Sequence, residues 1–185
     1  MPRLFIAIKI TPSIAFESLL PDLKRELIQS NIKWVDPQNY HITLKFMGDV
    51  EEYYLNSLRL LLDRIAENNN TFTLESSGFG IFGSKKHPWV IWYGFKPNSY
   101  IRNLQQSIDD SLTELGFEKE EKDYYPHLTV GRVKFLSPKS NLKEIVARME
   151  LRSEKYHVTK FSLISSILKP EAPKYQVLKE FTLQT

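Results

Sequence analysis

A pattern of four residues occurs twice in this sequence, and it contains the residue types needed for acid–base chemistry. The first copy is His41-Ile42-Thr43-Leu44 and the second is His127-Leu128-Thr129-Val130. In a β-strand, side chains two positions apart lie on one face. Each histidine would therefore share a face with its threonine, while the apolar residues point to a core. The pattern predicts two catalytic strands.

The residue types in the two copies suit a reaction at a phosphate ester. Imidazole has an unperturbed pKa near neutrality, so at one pH one histidine can donate a proton while the other accepts one. A threonine hydroxyl beside each imidazole can donate a hydrogen bond to a phosphate oxygen. A single His-x-Thr is usually an incidental polar edge of a strand, and the repetition is what favours catalysis. The spacing does not say which histidine is the acid.

Two further histidines are not expected to be catalytic. The segment His157-Val158-Thr159-Lys160 is a third His-x-Thr, but a charged residue occupies its last position. His87 follows Lys85 and Lys86 and is interpreted as a loop residue. The two lysines could attract phosphate to it.

Composition excludes several classes of protein. The 185 residues contain no cysteine, which excludes disulfides, thiolate nucleophiles and cysteine metal sites. The net charge of +3 permits a local patch for a polyanion without requiring one. Apolar runs such as 4–8 are too short to span a bilayer and no leader precedes them, so cytoplasmic residence is expected. No cluster of carboxylates suggests a metal site, and neither a metal nor another cofactor is expected.

Hydrophobic periodicity predicts strands and helices around the two motifs. Strands are predicted at 3–10, 32–35, 40–47, 72–76, 89–95, 126–135, 155–168 and 175–183. Helices are predicted from Ser13 to about residue 30, from an Asp49 cap to residues 68–70, at 99–115 and at 140–149. Gly78, Gly80 and Gly83 are assigned to a loop, which is not expected to cradle phosphate because no Gly-Lys-Ser/Thr follows.

Each His-x-Thr strand lies within a similar set of predicted elements. We therefore predict an α+β fold made by duplication, with two lobes related by a pseudo-twofold axis. Each lobe has an antiparallel sheet with flanking helices, and the motif strands face each other across a central cleft. Residues 1–185 are expected to form one domain of two intertwined lobes, one carrying His41 and the other His127.

The sequence also resembles a known family, the 2H phosphoesterases, which are named for paired His-x-Thr/Ser-x motifs. Within that family it is most similar to the RNA 2′,3′-cyclic phosphodiesterases, historically called 2′-5′ RNA ligases. The resemblance covers nearly the whole chain. The matching segments outside the motifs are 3–8, 33–35, 45–48, 79–82, 92–94, 115–117, 131–132, 175–178 and 181–183.

This resemblance implies the same bilobal architecture and a role for each motif residue. It implies hydrolysis of RNA 2′,3′-cyclic phosphate ends to 2′-phosphate. His41 would be the proton donor to the leaving 3′-oxygen, and His127 would be the proton acceptor that activates water. Thr43 and Thr129 would bind the phosphate oxygens on which charge accumulates.

Arg132 and Phe5 are further candidates for substrate binding. The family carries arginine at the position of Arg132, where it would clamp the phosphate. Strict alternation turns Arg132 to the opposite face unless the strand bulges near Gly131, and a structural salt bridge is the alternative. Phe5 and Trp34 could stack on a nucleobase, and we expect Trp34 to be core. Tyr125 stands where the family often has a basic residue, which bears on RNA grip.

The sequence leaves alternatives to a metal-independent cyclic phosphodiesterase. The same histidines could hydrolyse or ligate 2′-5′ linkages, although no nucleotide-activation motif supports energy-driven ligation. A non-catalytic module that binds RNA ends is a second alternative, and a structural interaction protein leaves the repeated motif unexplained. The expected partner is RNA or an oligonucleotide with a 2′,3′-cyclic phosphate end, bound by a monomer that does not associate with membranes.

Overall fold

The computed structural model describes residues 1–84, 88–149, 152–167 and 173–185. His87 and its two neighbouring lysines lie outside these residues. The described chain contains nine strands: β1 (Arg3–Lys9), β2 (Asn31–Trp34), β3 (His41–Asp49), β4 (Phe72–Gly83), β5 (Pro88–Phe95), β6 (His127–Phe135), β7 (Lys155–Val158), β8 (Lys160–Ile167) and β9 (Lys174–Thr182). Its four α-helices are α1 (Ile14–Glu26), α2 (Tyr54–Glu67), α3 (Ser99–Glu114) and α4 (Leu142–Arg148), and a 3-10 helix spans Pro37–Asn39.

The strands form one antiparallel sheet in the order β7-β4-β5-β6-β3-β1-β8-β9, with β2 paired to β6. In its middle, the two motif strands share one residue pair within the described chain, Ile42 with Leu128. The predicted α+β class with antiparallel strands and flanking helices is confirmed. The two predicted sheets are joined by that pair into a single sheet of nine strands.

The apolar residues of both motifs belong to one large core. Ile42, Leu44, Leu128 and Val130 are buried in the same cluster as residues from all four helices. Helix α1 begins as predicted, because the Ser13 hydroxyl accepts a hydrogen bond from the backbone N–H of Phe16 at 3.0 Å. The helices therefore cover one face of the sheet and leave the other face to the polar residues of the motifs.

The predicted start of α2 and the predicted strand 155–168 are wrong. Asp49 ends β3 and does not cap α2, which begins at Tyr54. The segment predicted as one strand, 155–168, is broken at Thr159 into β7, which pairs with β4, and β8, which pairs with β1. At the break, the carbonyl oxygen of Thr159 accepts a hydrogen bond from the backbone N–H of Leu183 at 2.8 Å. One residue therefore joins the edge strand β7 to β8, which lies next to the opposite edge strand β9.

The glycines assigned to a loop lie inside β4. Gly78, Gly80 and Gly83 have the spacing of a dinucleotide-binding turn, but such a turn leads from a strand to a helix, whereas β4 leads to β5. A Cβ atom on Gly80 would lie 2.2 Å from the ring of Trp92 on the neighbouring strand. This glycine is therefore required by the close approach of an indole ring, which a sequence pattern does not reveal.

A buried ion pair connects β3 to α3. Lys45 and Asp109 are 6% and 4% exposed, and the Lys45 ammonium donates to the Asp109 carboxylate at 2.5 Å. Lys45 also donates to the Glu118 carbonyl oxygen at 2.6 Å, and the backbone N–H of Glu120 donates to Asp109 at 3.1 Å. The pair therefore anchors the segment between α3 and the second motif strand.

Replacing Lys45 by methionine should destabilise the protein strongly. Lys45→Met leaves the Asp109 carboxylate buried without its partner, and removing one member of a buried pair typically costs about 3–5 kcal/mol of the free energy of unfolding. Urea denaturation measures this loss. The control is Lys160→Met, which removes a surface pair with Glu180 at 2.7 Å and should cost less than about 1 kcal/mol. Equal losses in the two variants would contradict the interpretation.

Candidate active site

The pairing of Ile42 with Leu128 brings the two motifs together. Both side chains are buried in the core, so the residues on either side of them point to the opposite face. His41, Thr43, His127 and Thr129 are half-buried on that face. In antiparallel register His41 falls across from Thr129, and Thr43 across from His127. The two copies of the motif therefore form one polar cluster.

Both histidines are held by the same kind of hydrogen bond. The Nδ1–H of His41 donates to the carbonyl oxygen of Asn39 at 2.6 Å, and that of His127 donates to the carbonyl oxygen of Tyr125 at 2.8 Å. A carbonyl oxygen only accepts, so each Nδ1 carries the hydrogen and each Nε2 is left for chemistry. Each imidazole can accept a proton at Nε2 when neutral and donate one when charged.

The surroundings lower the pKa of both imidazoles. Burial lowers the pKa of His41 most, the charges of Arg132 and His127 lower it further, and the Asn39 hydrogen bond opposes them. Burial likewise lowers the pKa of His127, with Arg132 adding to the effect and the Tyr125 hydrogen bond opposing it. Both imidazoles are therefore mainly neutral at neutral pH in the free protein. A bound phosphate anion would favour the protonated form.

A β-bulge in β6 turns Arg132 toward the histidines. Opposite β5, Thr129 pairs with Trp92 and Gly131 pairs with Ile91, so Val130 is the extra residue. Val130 and Gly131 are both buried and Arg132 is exposed again. The charge of Arg132 acts on the pKa of His41 and His127. Arg132 could reach the site only if the strand bulged near Gly131, and the structure has this bulge.

The same bulge occurs in β3 and exposes Phe46. Opposite β1, Thr43 pairs with Ala7 and Lys45 pairs with Ile6, so Leu44 is the extra residue. Phe46 then returns to the histidine face, where 51% of it is exposed. Phe46 is not among the residues that the sequence predicts for the site. The available signal was its spacing, because it is the fifth residue after His41, as Arg132 is after His127.

Aromatic rings support each imidazole from the side. The Phe5 ring lies 5.0 Å from the His41 ring and the Tyr175 ring lies 5.4 Å from it, centroid to centroid. The Phe82 ring meets His127 edge-on at 4.7 Å. Phe5 is only 3% exposed, so it supports His41 and offers little surface to a nucleobase.

Trp34 packs against the core as predicted. His157 lies in β7, where its Nδ1 is 3.4 Å from the Thr73 hydroxyl. Three strands separate β7 from β3 in the sheet, which agrees with the expectation that His157 lies outside the site. Within the described ranges, no cluster of three or more His, Cys, Asp or Glu side chains could hold a metal ion. Nor does any described helix have the length and apolarity needed to cross a membrane.

The two His-x-Thr motifs lie on one face of a single antiparallel sheet, as the resemblance to the 2H phosphoesterases implies. Comparison with known proteins agrees. The family model described as LigT-like phosphoesterase matches residues 8–92 and 96–175. The chain therefore belongs to the LigT-like 2H phosphoesterases.

Relatives match over nearly the whole chain. The chain is 36% identical to a protein of Archaeoglobus fulgidus and 34% identical to one of Methanocaldococcus jannaschii, each over 97% of this chain and 99% of the relative. Both relatives are named RNA 2′,3′-cyclic phosphodiesterase.

Solved structures share the fold. A crystal structure of a Thermus thermophilus protein superposes with a TM-score of 0.80 at 26% identity, covering 98% of each chain. Escherichia coli LigT complexed with 3′-AMP superposes with a TM-score of 0.75 at 24% identity, covering 100% of this chain and 99% of LigT.

Removing the charge of Arg132 should raise the pKa of both histidines. The guanidinium lowers both values, so Arg132→Gln should raise them, while burial still keeps each below the ordinary value. Titration of the imidazole Hε1 resonances by NMR measures the change. Lys143→Gln, a substitution on α4, should leave the pKa of both histidines unchanged. Unchanged pKa values in Arg132→Gln would show that Arg132 does not face the pair.

Proposed function

We propose that this protein hydrolyses 2′,3′-cyclic phosphate ends of RNA to 2′-phosphates, using two histidines and no metal ion. One observation carries the proposal. His41 and His127 lie on one face, and the Nδ1–H of each donates a hydrogen bond to a carbonyl oxygen. Neither Nε2 has a hydrogen-bond partner among the described residues, and one guanidinium acts on both rings. The name of the two relatives supports the substrate.

In the proposed reaction, His127 accepts a proton from water as the water oxygen bonds to phosphorus. His41 donates its proton to the ribose 3′-oxygen as the bond from phosphorus to that oxygen breaks. Thr43, Thr129 and Arg132 bind the non-bridging oxygens, where negative charge increases in the transition state. The product carries a 2′-phosphate and a free 3′-hydroxyl, and the two histidines have exchanged protonation states.

The two bulges supply a candidate surface for a nucleobase and a cation for the phosphate. Phe46 follows the His41 motif and offers an exposed ring on which a nucleobase could stack. The guanidinium of Arg3 lies 5.1 Å above the same ring. Arg132 follows the other motif, and its charge acts on both histidines, so it would hold the phosphate between them. The choice of His41 as the acid stays a prediction made from the family resemblance.

The same proposal includes the domain organisation and Phe5. Residues 1–185 would form one domain of two lobes that meet at the pair Ile42 and Leu128, which is supported by the lone pairing of β3 with β6 in the described chain. A direct contact between Phe5 and substrate stays a prediction. Its ring packs against His41, which supports a role in holding the imidazole.

A second candidate is cleavage of 2′-5′ linkages between nucleotides. The observation that favours it is an aromatic surface beside His127, made of Phe82, Trp92 and Tyr125, whose rings lie 5.2–6.0 Å apart. Tyr125 is 46% exposed and could stack on a nucleoside beyond the phosphate. A 2′-5′-linked dinucleotide incubated with the protein tests this candidate, and Tyr125→Ala should slow its cleavage more than cyclic phosphate hydrolysis.

Phosphorus NMR tests the main proposal directly. The protein is incubated in EDTA with a 2′,3′-cyclic mononucleotide and with an oligonucleotide that ends in a 2′,3′-cyclic phosphate. The expected product of both is the 2′-phosphate. Turnover of neither substrate would disprove the proposal, loss of turnover in EDTA would disprove metal independence, and mainly 3′-phosphate would reverse the histidine roles.

Alanine substitution of either motif histidine should reduce kcat by about 10²–10⁴-fold, the usual loss when a positioned acid or base is removed. His157→Ala is the matched control and should leave kcat within about twofold, because His157 lies in β7. Thr43→Ala should cost less than His41→Ala, since it removes one hydrogen bond worth about 1.5–3 kcal/mol. Thermal denaturation shows whether each variant is folded. A Thr43→Ala variant more damaged than His41→Ala would refute the roles assigned here.

The dependence of kcat/KM on pH should be a bell whose maximum lies below pH 6.5. This profile reports the free protein, where one histidine must be neutral and the other protonated, and both have a pKa below the ordinary 6.5. The maximum of kcat should lie at higher pH, because bound phosphate raises both values. Initial rates from pH 4.5 to 9 provide the measurement. A kcat/KM maximum above pH 7.5 would contradict the effect of burial on the two groups.

A further inference from the structure

The short strand β2 lies where the two motif strands separate. Strand β6 pairs with β3 at Leu128 and then with β2 from Gly131 to Phe135. Strand β2 therefore occupies the edge of β6 beside the bulge that exposes Arg132. Within β2, Lys33 stands directly opposite Arg132.

Lys33 lies on the same face as the histidines. Residues directly opposite in an antiparallel pair share a face, with Cβ atoms about 4.5–5.5 Å apart. The neighbours of Lys33 in sequence lie on the other face: a Cβ atom on Gly131 would lie 2.9 Å from Ile32 and 3.0 Å from Trp34. Lys33 itself is exposed. Its ammonium therefore lies on the open face next to Arg132.

Lys33 and Arg132 both carry charges that no carboxylate of the described residues neutralises. Neither takes part in an ion pair within the part of the chain that the structure describes. Asp36, the acidic residue nearest in sequence, accepts a hydrogen bond from the backbone N–H of Gln38 at 2.9 Å. Like charges directly opposite each other destabilise a strand pair. An anionic ligand with two charges would remove that repulsion.

We propose that Lys33 binds the phosphate that links the last two nucleotides of the RNA, next to the cyclic phosphate held by Arg132. This inference rests on the proposed function. Strands are about 4.7–4.9 Å apart, and the lysine stem extends the reach of the ammonium beyond that distance. The protein then distinguishes an RNA end from a free cyclic nucleotide, because only the RNA end has a phosphate for Lys33.

The experiment compares Lys33→Gln with the unaltered protein on three substrates. They are adenosine 2′,3′-cyclic phosphate, the dinucleotide that adds one 5′-terminal adenosine through a normal linkage, and the same dinucleotide with an uncharged methylphosphonate linkage. For the normal dinucleotide, Lys33→Gln should lower kcat/KM by about tenfold, mainly through KM, as expected when a charge-assisted hydrogen bond is lost. For the other two substrates kcat/KM should fall about twofold or less, because losing the Lys33 charge only weakens the positive electrostatic potential near Arg132.

Salt dependence gives a second readout. Salt screens the attraction between an exposed ammonium and a phosphate. The slope of log kcat/KM against log salt concentration for the normal dinucleotide should therefore be shallower in Lys33→Gln. Lys143→Gln, an exposed lysine on α4, should leave the slope unchanged.

Two results would overturn the inference. Equal reductions on all three substrates would show that Lys33 acts on the reacting phosphate or on the fold. No reduction on any substrate would show that Lys33 only protects an edge strand from association, a common role of lysine there. Calorimetry can also measure the affinity of the protein for dinucleotides that end in a 2′-phosphate and carry either the normal or the methylphosphonate linkage. This measurement tests Lys33 even if the protein turns over no cyclic phosphate. Selective loss of affinity for the charged linkage would uphold the inference while the proposed function failed.

Discussion

The site depends on the contact between Ile42 and Leu128. These two residues form the pair through which β3 and β6 meet in the described chain, and both are fully buried. Because a strand alternates its faces, fixing this pair in the core fixes both histidines and both threonines on the opposite face. A slip of one residue in either strand would turn its histidine into the core. The large core beneath the pair is what prevents such a slip.

The two bulges place on this face one residue from each motif strand that strict alternation would turn toward the core. In each motif strand two successive residues are buried and the next one is exposed. Phe46 and Arg132 therefore lie on the face that carries the histidines. The buried position is filled differently in each strand. Gly131 leaves room for Ile32 and Trp34, whereas Lys45 extends to Asp109 and Glu118. The strands thus share a geometry that is stabilised in one case by close packing and in the other by a buried ion pair.

The sequence predicts the site better than its surroundings. The spacing of His41 and Thr43, and of His127 and Thr129, is local information, and alternation was enough to place them on one face. The orientation of Arg132 depends on a bulge, which appears in the pairing with β5 and is not visible in one strand. Position 80 requires glycine because the Trp92 ring lies against it. The break at Thr159 depends on Leu183, so a continuous strand was the natural but wrong prediction.

The position of β1 between β3 and β8 has a consequence for folding during synthesis. One edge of β1 can pair with β3 early, but its other edge stays open until β8 (Lys160–Ile167) has left the ribosome. Tyr175, which lies against His41, emerges later still. Pairing over such a sequence separation is slow, because the entropy of closing the loop is lost before the new contacts stabilise it. By contrast, β4, β5 and β6 are consecutive strands along the chain. The His127 side of the site can therefore form before β8 and β9 complete the His41 side.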